Sequence, residues 1–577
     1  MKGLKDTAVV LVSIAAVALS LSACSQGESS SPSPNTTAAA TGSQVVPGSS
    51  VIIVGSYAGN YTVNNLNPYN LTGDNQSPVQ GGIYEPLFYY NPVSDAAPRP
   101  MLGTSFSWNS DGTVLTVKIR QGVKFNDGSP MTVDDVVFSL NLVSNNKSLN
   151  TLGQVWKTAK VDDQTVTLTF PKPAFTLEVQ VLGREPIVPQ AIWKSVSDPT
   201  SGTNEQPVGT GPYMMQDYTP EAFTMIVNPY YWGTGDQAPA IQYARFITLA
   251  NADAMTTAYQ QDKVDWMSAY LPTLQSLVDS SGGKLYYVNT PTTTTGLFAC
   301  SNPKLGCTGP QTDPAVRQAM YYAIDRTQLS KQAVAGFAKP ASPTLLLNWI
   351  NQKQITNPDY MEVPQTSDVA KATSLLEAAG YTKGSGGYYE KDGKTLQVEV
   401  NDVSGWTDYN TMCQLLVGMF KAAGIKLVVN DESWNTWSAA EYSGKYELSL
   451  DAVNMGPSPD PYGIYQPTLS SSATAKVGSP ASTNLTRFSD PQVDQAIVTL
   501  ATTDDDATKT AQYATIQDAL VQQMPIIPIY VNQGLTEFST TRVTGWPTDS
   551  NMYAFPGAYN GNWGTGLIMA ALRPVSK

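Results

Sequence analysis

Between positions 101 and 140 the hydrophobic period of the chain changes from two to about 3.6. Leu115, Val117 and Ile119 alternate with Thr116 and Lys118, the pattern of a strand with one buried face. Asp127-Gly128 then marks a turn. Thr132 and Asp135 follow at capping spacing, ahead of Val136, Val137, Leu140 and Val143, so a helix is predicted to start there. Elsewhere, positions 50–56 (SVIIVGS) predict a strand, and 161–170 another with Val166, Leu168 and Phe170 on one face. Asp313-Pro314 predicts a capped helix carrying Val316, Met320, Ala323 and Ile324 on one side. Further helices are predicted over 367–379, stopped by Gly380, and over 412–423, stopped by Gly424 and followed at once by a strand at 425–429. Such alternation argues for α/β layers. No internal repeat is visible.

Length changes this picture first: 577 residues exceed what one core serves, so two or more domains are expected. Charge is sparse, at 14% of residues, and 34 basic against 47 acidic side chains leave a net −13. An acidic chain of this kind is not expected to bind nucleic acid or an anionic membrane through its own surface. Positions 1–23 carry Lys2 and Lys5, an apolar run over 8–21 and then small residues, the layout of an export signal. The run is short for a spanning helix. Leu21-Ser22-Ala23-Cys24 fits a lipobox, in which cleavage before Cys24 leaves its thiol to carry diacylglycerol. The Ser-, Thr-, Pro- and Ala-rich stretch up to position 48 is expected to be a disordered tether, reaching about 25–30 Å as a flexible coil.

Export permits disulfides. Cys300 and Cys307 enclose SNPKLG, a segment suited to a tight loop, and are expected to pair. Cys413 lies in an apolar helical run and is expected to be a buried free thiol. Their spacing is no metal signature, and neither a metal site nor a cofactor is expected. The chain contains no histidine, which removes Ser-His-Asp and Cys-His catalysis and the HExxH zinc site. No Walker loop, Gly-x-Ser-x-Gly elbow or EF-hand occurs. Carboxylate pairs for glycoside hydrolysis stay open, because the two acids can come from distant strands.

Several short motifs fall in a familiar order. Trp108, Asp111-Gly112, Arg120, Gly122-Val123-Lys124-Phe125, Asp127-Gly128, Thr132 and Asp134-Asp135-Val136 resemble the signature of bacterial oligopeptide-type solute-binding proteins, the extracytoplasmic receptors of ABC importers. Leu66-Asn67-Pro68, Tyr84-Glu85-Pro86-Leu87, Val208-Gly209-Thr210-Gly211-Pro212-Tyr213, Asn228-Pro229-Tyr230-Tyr231-Trp232, the segment DPAVRQAMYYAIDRTQL from Asp313, and Pro525-Ile526-Ile527-Pro528-Ile529-Tyr530 extend the resemblance along nearly the whole mature chain. It implies an α/β, two-lobed periplasmic-binding-protein-like fold with a hinge cleft and a small inserted domain. Positions 49–83, 206–297 and 525–577 would form lobe I, 84–205 the inserted domain and 298–524 lobe II. Implied partners are a permease and a separate ATPase, with the receptor a lipid-anchored monomer on the outer face of the membrane. A sensor role or a surface glycoside hydrolase are the alternatives.

The resemblance implies an oligopeptide as solute. Peptide receptors of this family hold the peptide ammonium with an aspartate in a region that corresponds here to Gly456-Pro457-Ser458, with Asp460 displaced. An ammonium buried without its carboxylate loses roughly 3–5 kcal/mol. Tryptophan faces and neutral amides suit pyranose rings, so a neutral β-linked oligosaccharide is the rival solute. Expected ligand contacts are Tyr57, Asn60, Trp406, Trp434, Trp437, Asn454 and Asp460, all polar or aromatic residues near expected lobe junctions.

Overall fold

The apolar run at 50–56 forms the larger part of β1 (Val46–Ser56). The computed structural model describes residues 45–56, 61, 64–70, 76–94, 96–150, 155–347, 356–454, 456, 458–481, 483–558 and 563–575. The export signal, Cys24 and all but the last residues of the tether lie outside the described residues. No helix among the described residues is long and apolar enough to cross a membrane.

A four-stranded sheet follows, built from β2 (Gly103–Trp108), β3 (Val114–Ile119), β4 (Lys157–Asp162) and β5 (Thr165–Thr169) in the order β2-β3-β5-β4. Helix α1 (Val133–Asn145) covers it. Thr132 and Asp135 make the expected capping box, with the Thr132 amide donating to Asp135 Oδ2 at 2.8 Å. Leu115, Val117 and Ile119 are buried with Val136, Leu140 and Val143 of the helix in one core. The strand expected over 161–170 is a hairpin instead. Its turn is closed where Gln164 N–H donates to Asp162 Oδ1 at 2.8 Å, a side-chain turn that hydrophobic alternation does not reveal.

The chain then builds β6 (Tyr213–Thr219), β7 (Ala222–Val227), β8 (Ile241–Thr248), β9 (Trp266–Met267) and β10 (Leu285–Asn289). It leaves this sheet through 290–292 and enters a second one. There it forms β11 (Thr293–Ala299), α2 (Pro314–Ala323), α3 (Arg326–Ala333), β12 (Lys339–Pro340), α4 (Val369–Ala378) and β13 (Gln397–Val403). Next come α5 (Thr407–Ala422), β14 (Lys426–Glu432), α6 (Trp434–Ser443), β15 (Leu448–Asn454), α7 (Pro491–Thr502), α8 (Asp506–Gln523) and β16 (Ile526–Val531). After 532–534 the chain returns with β17 (Leu535–Ser539).

The first sheet has the order β10-β17-β9-β1-β8-β7-β6, the second β12-β16-β11-β15-β13-β14. Helices cover both faces of the second sheet. Val316, Met320, Leu376, Leu416 and Phe420 pack with Leu448 and Leu450 on one face, and Val493, Ile497, Ile516 and Leu520 with Val453 and Ile526 on the other. Each fully buried aliphatic side chain there contributes about 1.5–3 kcal/mol. Cys300 and Cys307 are joined, their Cα atoms 5.4 Å apart, and Cys413 is buried and free.

Three expectations need adjustment. Ile324 does not continue α2, because the Asp325 carboxylate caps α3 by accepting from Gln328 N–H at 2.7 Å. Helix α5 begins at Thr407, five residues before the apolar stripe starts at Met412. Strand β16, expected with lobe I, pairs with β11 in the second sheet, so the return crossing falls at 532–534 instead of ahead of Pro525.

Most of the motifs that carry the resemblance turn out to hold the scaffold together. Glu85 is wholly buried and accepts from Trp232 Nε1 at 2.8 Å and Tyr231 Oη at 3.3 Å. The Arg120 guanidinium lies 4.1 Å over the Trp232 ring. Gly209 and Gly211 press on Ile83 and Gly82, where an added Cβ would come within 2.2 and 2.4 Å of backbone oxygens. This turn therefore serves close packing. Arg317 donates through Nε to the carbonyls of Gln523 and Met524 at 2.9 and 3.1 Å, closing the end of α8. Arg326 donates to Pro528 O at 2.8 Å.

Burial pushes the Glu85 carboxyl up from 4.5 to about 7, against the lowering effect of its donors and of Arg120. The native state therefore holds a proton where the unfolded chain has lost it. Stability from this group is fully present below pH 4.5 and is lost as pH rises through about 7, by about 3 kcal/mol at most. Urea unfolding at pH 5 and pH 8 should show Glu85→Gln losing less stability with rising pH than the native chain does. Equal losses in the two proteins would show that Glu85 does not titrate in this way.

Candidate functional site

Two segments join the sheets, and their pairing decides what faces what. Thr290 N–H donates to Gly534 O at 2.8 Å, Gly534 N–H to Asn289 Oδ1 at 3.0 Å, and Asn532 N–H to Thr293 O at 2.9 Å. A Cβ on Gly534 would lie 2.2 Å from Thr290 O, so only glycine allows the crossings to run this close. In the first sheet β10 ends at the crossing, and β17 starts from it antiparallel to both β10 and β9. Strands β9 and β8 are parallel to β1, which places the carboxyl ends of all three on the crossing edge. In the second sheet β15 and β16 run antiparallel to β11, and β13 is parallel to β15 and β14. The carboxyl ends of β13, β14, β15 and β16 thus also meet the crossing edge. Ligands of open α/β sheets bind outside such strand ends.

The expected contacts distribute along this edge. Trp406 lies three residues beyond the end of β13 and is the N-cap residue of α5. Its turn is held by Asn410, whose Nδ2 donates to Asp402 Oδ2 at 2.6 Å and to Val403 O at 3.0 Å. Trp434 opens α6 just beyond β14 and is 56% exposed, whereas Trp437, one turn on, is buried with its Nε1 unpartnered. The Trp406 ring sits edge-on to Trp437 and to Tyr409, both at 5.5 Å. Asn454 is the last residue of β15. Asp460 is engaged locally: its carboxylate accepts from Tyr462 N–H at 2.9 Å and from the Tyr513 hydroxyl. Tyr57 and Asn60 lie outside the described residues.

Sequence reasoning missed the groups contributed by the crossings. Asn532 Oδ1 and Gln533 Oε1 are buried on the returning segment without a hydrogen-bond partner, and so is the hydroxyl of Tyr530. Asp408, on the first turn of α5, is half-buried, and burial raises its carboxyl above the ordinary range. It interacts electrostatically with Tyr270, from just beyond β9 in the other lobe, and with Tyr530. The phenols of Tyr270 and Tyr530 are raised, by burial first. Polar residues immediately after an apolar strand were the available signal, but the pattern does not say that two strands cross together. Among the described residues no cluster of three or more cysteine, aspartate or glutamate side chains could hold a metal ion. A cavity of about 840 Å³ runs along α1 past Asp134, Val137, Phe138 and Asn141, away from the crossings.

Two α/β lobes joined by paired crossing segments, with strand ends facing across the gap, define a hinged binding protein. A family model described as bacterial extracellular solute-binding proteins, family 5, middle portion, matches residues 97–476, and the chain belongs to that family. Its members are substrate-binding receptors. The glutathione-binding protein of Pectobacterium atrosepticum is 28% identical over 529 residues, covering 88% of this chain and 94% of that protein. Protein XP55 of Streptomyces lividans is 28% identical over 421 residues, 71% of this chain and 72% of the other. The periplasmic oligopeptide-binding protein of an oligopeptide ABC transporter from Thermotoga maritima shares the fold, with TM-score 0.80, 23% identity, and 91% of this chain and 99% of that one covered. The same Thermotoga maritima protein has been solved with mannohexaose bound, at TM-score 0.72, 23% identity and coverage of 92% and 99%.

Truncating Trp406 removes a partly exposed ring that rests on Tyr409 and Trp437 without filling the core. Trp406→Ala is expected to weaken solute binding at least about tenfold while stability changes by about 1 kcal/mol or less. Titration calorimetry and thermal melting check both, and unaltered affinity would remove Trp406 from the site.

Proposed function

We propose that this chain is the extracytoplasmic receptor of an ABC importer, taking an oligopeptide between its lobes and handing it unchanged to a membrane permease driven by a separate ATPase. The carrying observation is the hinge: two paired crossings set the strand ends of both lobes around one gap. A solute touching both sides stabilises the closed form by the difference in its affinity for the two forms, and closure shields it from water. The permease then reads the closed shape. Family membership supports the receptor role. Relatives named for glutathione and oligopeptide binding support a peptide solute. Cys24 carries the lipid and the stretch between it and β1, which starts at Val46 and not beyond position 48, is the tether, so the receptor works at the outer face of the membrane, as a monomer.

A neutral β-linked oligosaccharide is the second reading. The exposed rings of Trp406 and Trp434 favour it, as does a relative solved with mannohexaose bound. Titration calorimetry against di- to pentapeptides and di- to hexasaccharides, with mass spectrometry of the recovered solute, separates the readings. Peptide heat at one site per chain with intact solute is the expected result. Heat from sugars alone would replace the peptide, and a cleaved product would sink the receptor. In cells, Cys24→Ala should release the protein from the membrane fraction; retention there would refute the lipid anchor.

A further inference from the structure

We propose that a cavity lined by Arg99, at the edge of the first sheet away from the crossings, is an accessory site for a small organic carboxylate with an apolar body. The inference does not depend on which solute the cleft takes. The cavity measures about 350 Å³, within the range of about 300–1,000 Å³ usual for small-molecule sites. Its walls come from three parts of the chain. Arg99 belongs to a short strand, Arg99–Pro100, paired with Phe88–Tyr89. Tyr231 and Gln237 stand between β7 and β8, and Asn551, Tyr553 and Leu567 come from the segment after β17. Gln237 lies shortly ahead of β8, whose carboxyl end is on the crossing edge, so the cavity sits at the opposite end of that strand.

The lining is electrostatically one-sided. Arg99 is half-buried, and among the described residues its guanidinium makes no hydrogen bond and no ion pair. The acid in the same lining, Asp236, does not neutralise it: its side chain is fully exposed and lies 4.0 Å from Arg573 Nη2. The hydroxyl protons of the lining phenols are committed elsewhere, Tyr231 Oη donating to Glu85 Oε1 at 3.3 Å and Tyr553 Oη to Gly545 O at 2.7 Å. Arg99 and Arg573 both act on the Tyr553 phenol, which places the cavity in the field of two cations. The chain as a whole carries −13 and repels anions at long range, so an anion held here needs donors at short range. A guanidinium fork offers a carboxylate two parallel N–H bonds. The side-chain amides of Gln237 and Asn551, neither of them engaged among the described residues, add neutral donors at the rim. Below them the floor is apolar, made by Leu567, Ala570 and Ala571 of the helix Thr565–Ala571. It takes a hydrocarbon body and offers nothing to a hydrated inorganic anion.

The experiment titrates benzoate and hexanoate into the full-length protein in detergent at low salt, with benzamide and hexanamide as neutral controls. Calorimetry and the shift in melting temperature report binding. At least one of the two carboxylates should bind at one site per chain, and its amide at least about tenfold more weakly. Arg99→Met should weaken that carboxylate at least about tenfold and leave the affinity of the cleft solute unchanged. Ala571→Leu, which narrows the floor and keeps Arg99, should weaken the carboxylate too. Circular dichroism verifies that both variants are folded. Saturating the cleft with the tightest solute from the panel above should not displace the carboxylate. No binding of either carboxylate, equal binding of acid and amide, survival of binding in Arg99→Met, or displacement by the cleft solute would each overturn the accessory site. Inorganic phosphate binding as tightly as the carboxylates, and lost in Arg99→Met, would overturn the carboxylate assignment. None of these outcomes touches the receptor reading, which the peptide and saccharide titrations decide.

Discussion

The contact between Thr290 and Gly534 governs the rest of the molecule. Two segments cross between the sheets in opposite directions, bonded to each other by backbone groups and packed closely enough that a side chain on Gly534 would collide with Thr290. Because the crossings are paired, the strands leaving and entering them are antiparallel, and the parallel neighbours of those strands must present their carboxyl ends on the same side. Both lobes consequently aim loops and helix starts at one gap. A pair of segments offers few soft dihedrals, so relative motion is confined to a hinge. That geometry is what a receptor that closes on its cargo requires.

Around this hinge the polar groups divide into two kinds. Glu85, Arg317 and Arg326 are buried and bonded to backbone or neighbouring side chains, and they tie elements of the scaffold together. These bonds offset much of the cost of burying charged residues, although Arg326 Nε is left without a partner. The Tyr530 hydroxyl and the amide oxygens of Asn532 and Gln533, on or beside the returning segment, lack such partners. The first kind stabilises one arrangement of the chain; the second leaves bonding capacity for a solute. Beside them the exposed Trp406 ring rests edge-on on the buried Trp437 and Tyr409, in a turn held by Asn410.

Much of this was legible in the sequence where short-range physics decides. The alternation of Leu115, Val117 and Ile119, the Thr132 and Asp135 capping box and the proline-started helix after Asp313 each depend on residues within one or two turns of each other. Those elements formed where local spacing placed them. The absence of histidine likewise excluded whole reaction classes without any structure. Even the tryptophans after β13 and β14 were selected from sequence, since aromatic residues directly after apolar strands stand at strand ends wherever the sheet is.

Only the tertiary structure decided which strand ends meet. That β16 belongs to the second sheet and β17 to the first rests on pairings with β11 and β10, more than two hundred positions earlier. Nothing local distinguishes the three residues between them from an ordinary turn. The approach of Tyr270, Asp408 and Tyr530, and the capture of Asp460 by Tyr513, likewise follow from long-range packing that closes loops of tens to hundreds of residues. Periodicity fixes which face of an element is buried; it carries no information about which distant element covers that face, and the binding groups lie where two such elements come together.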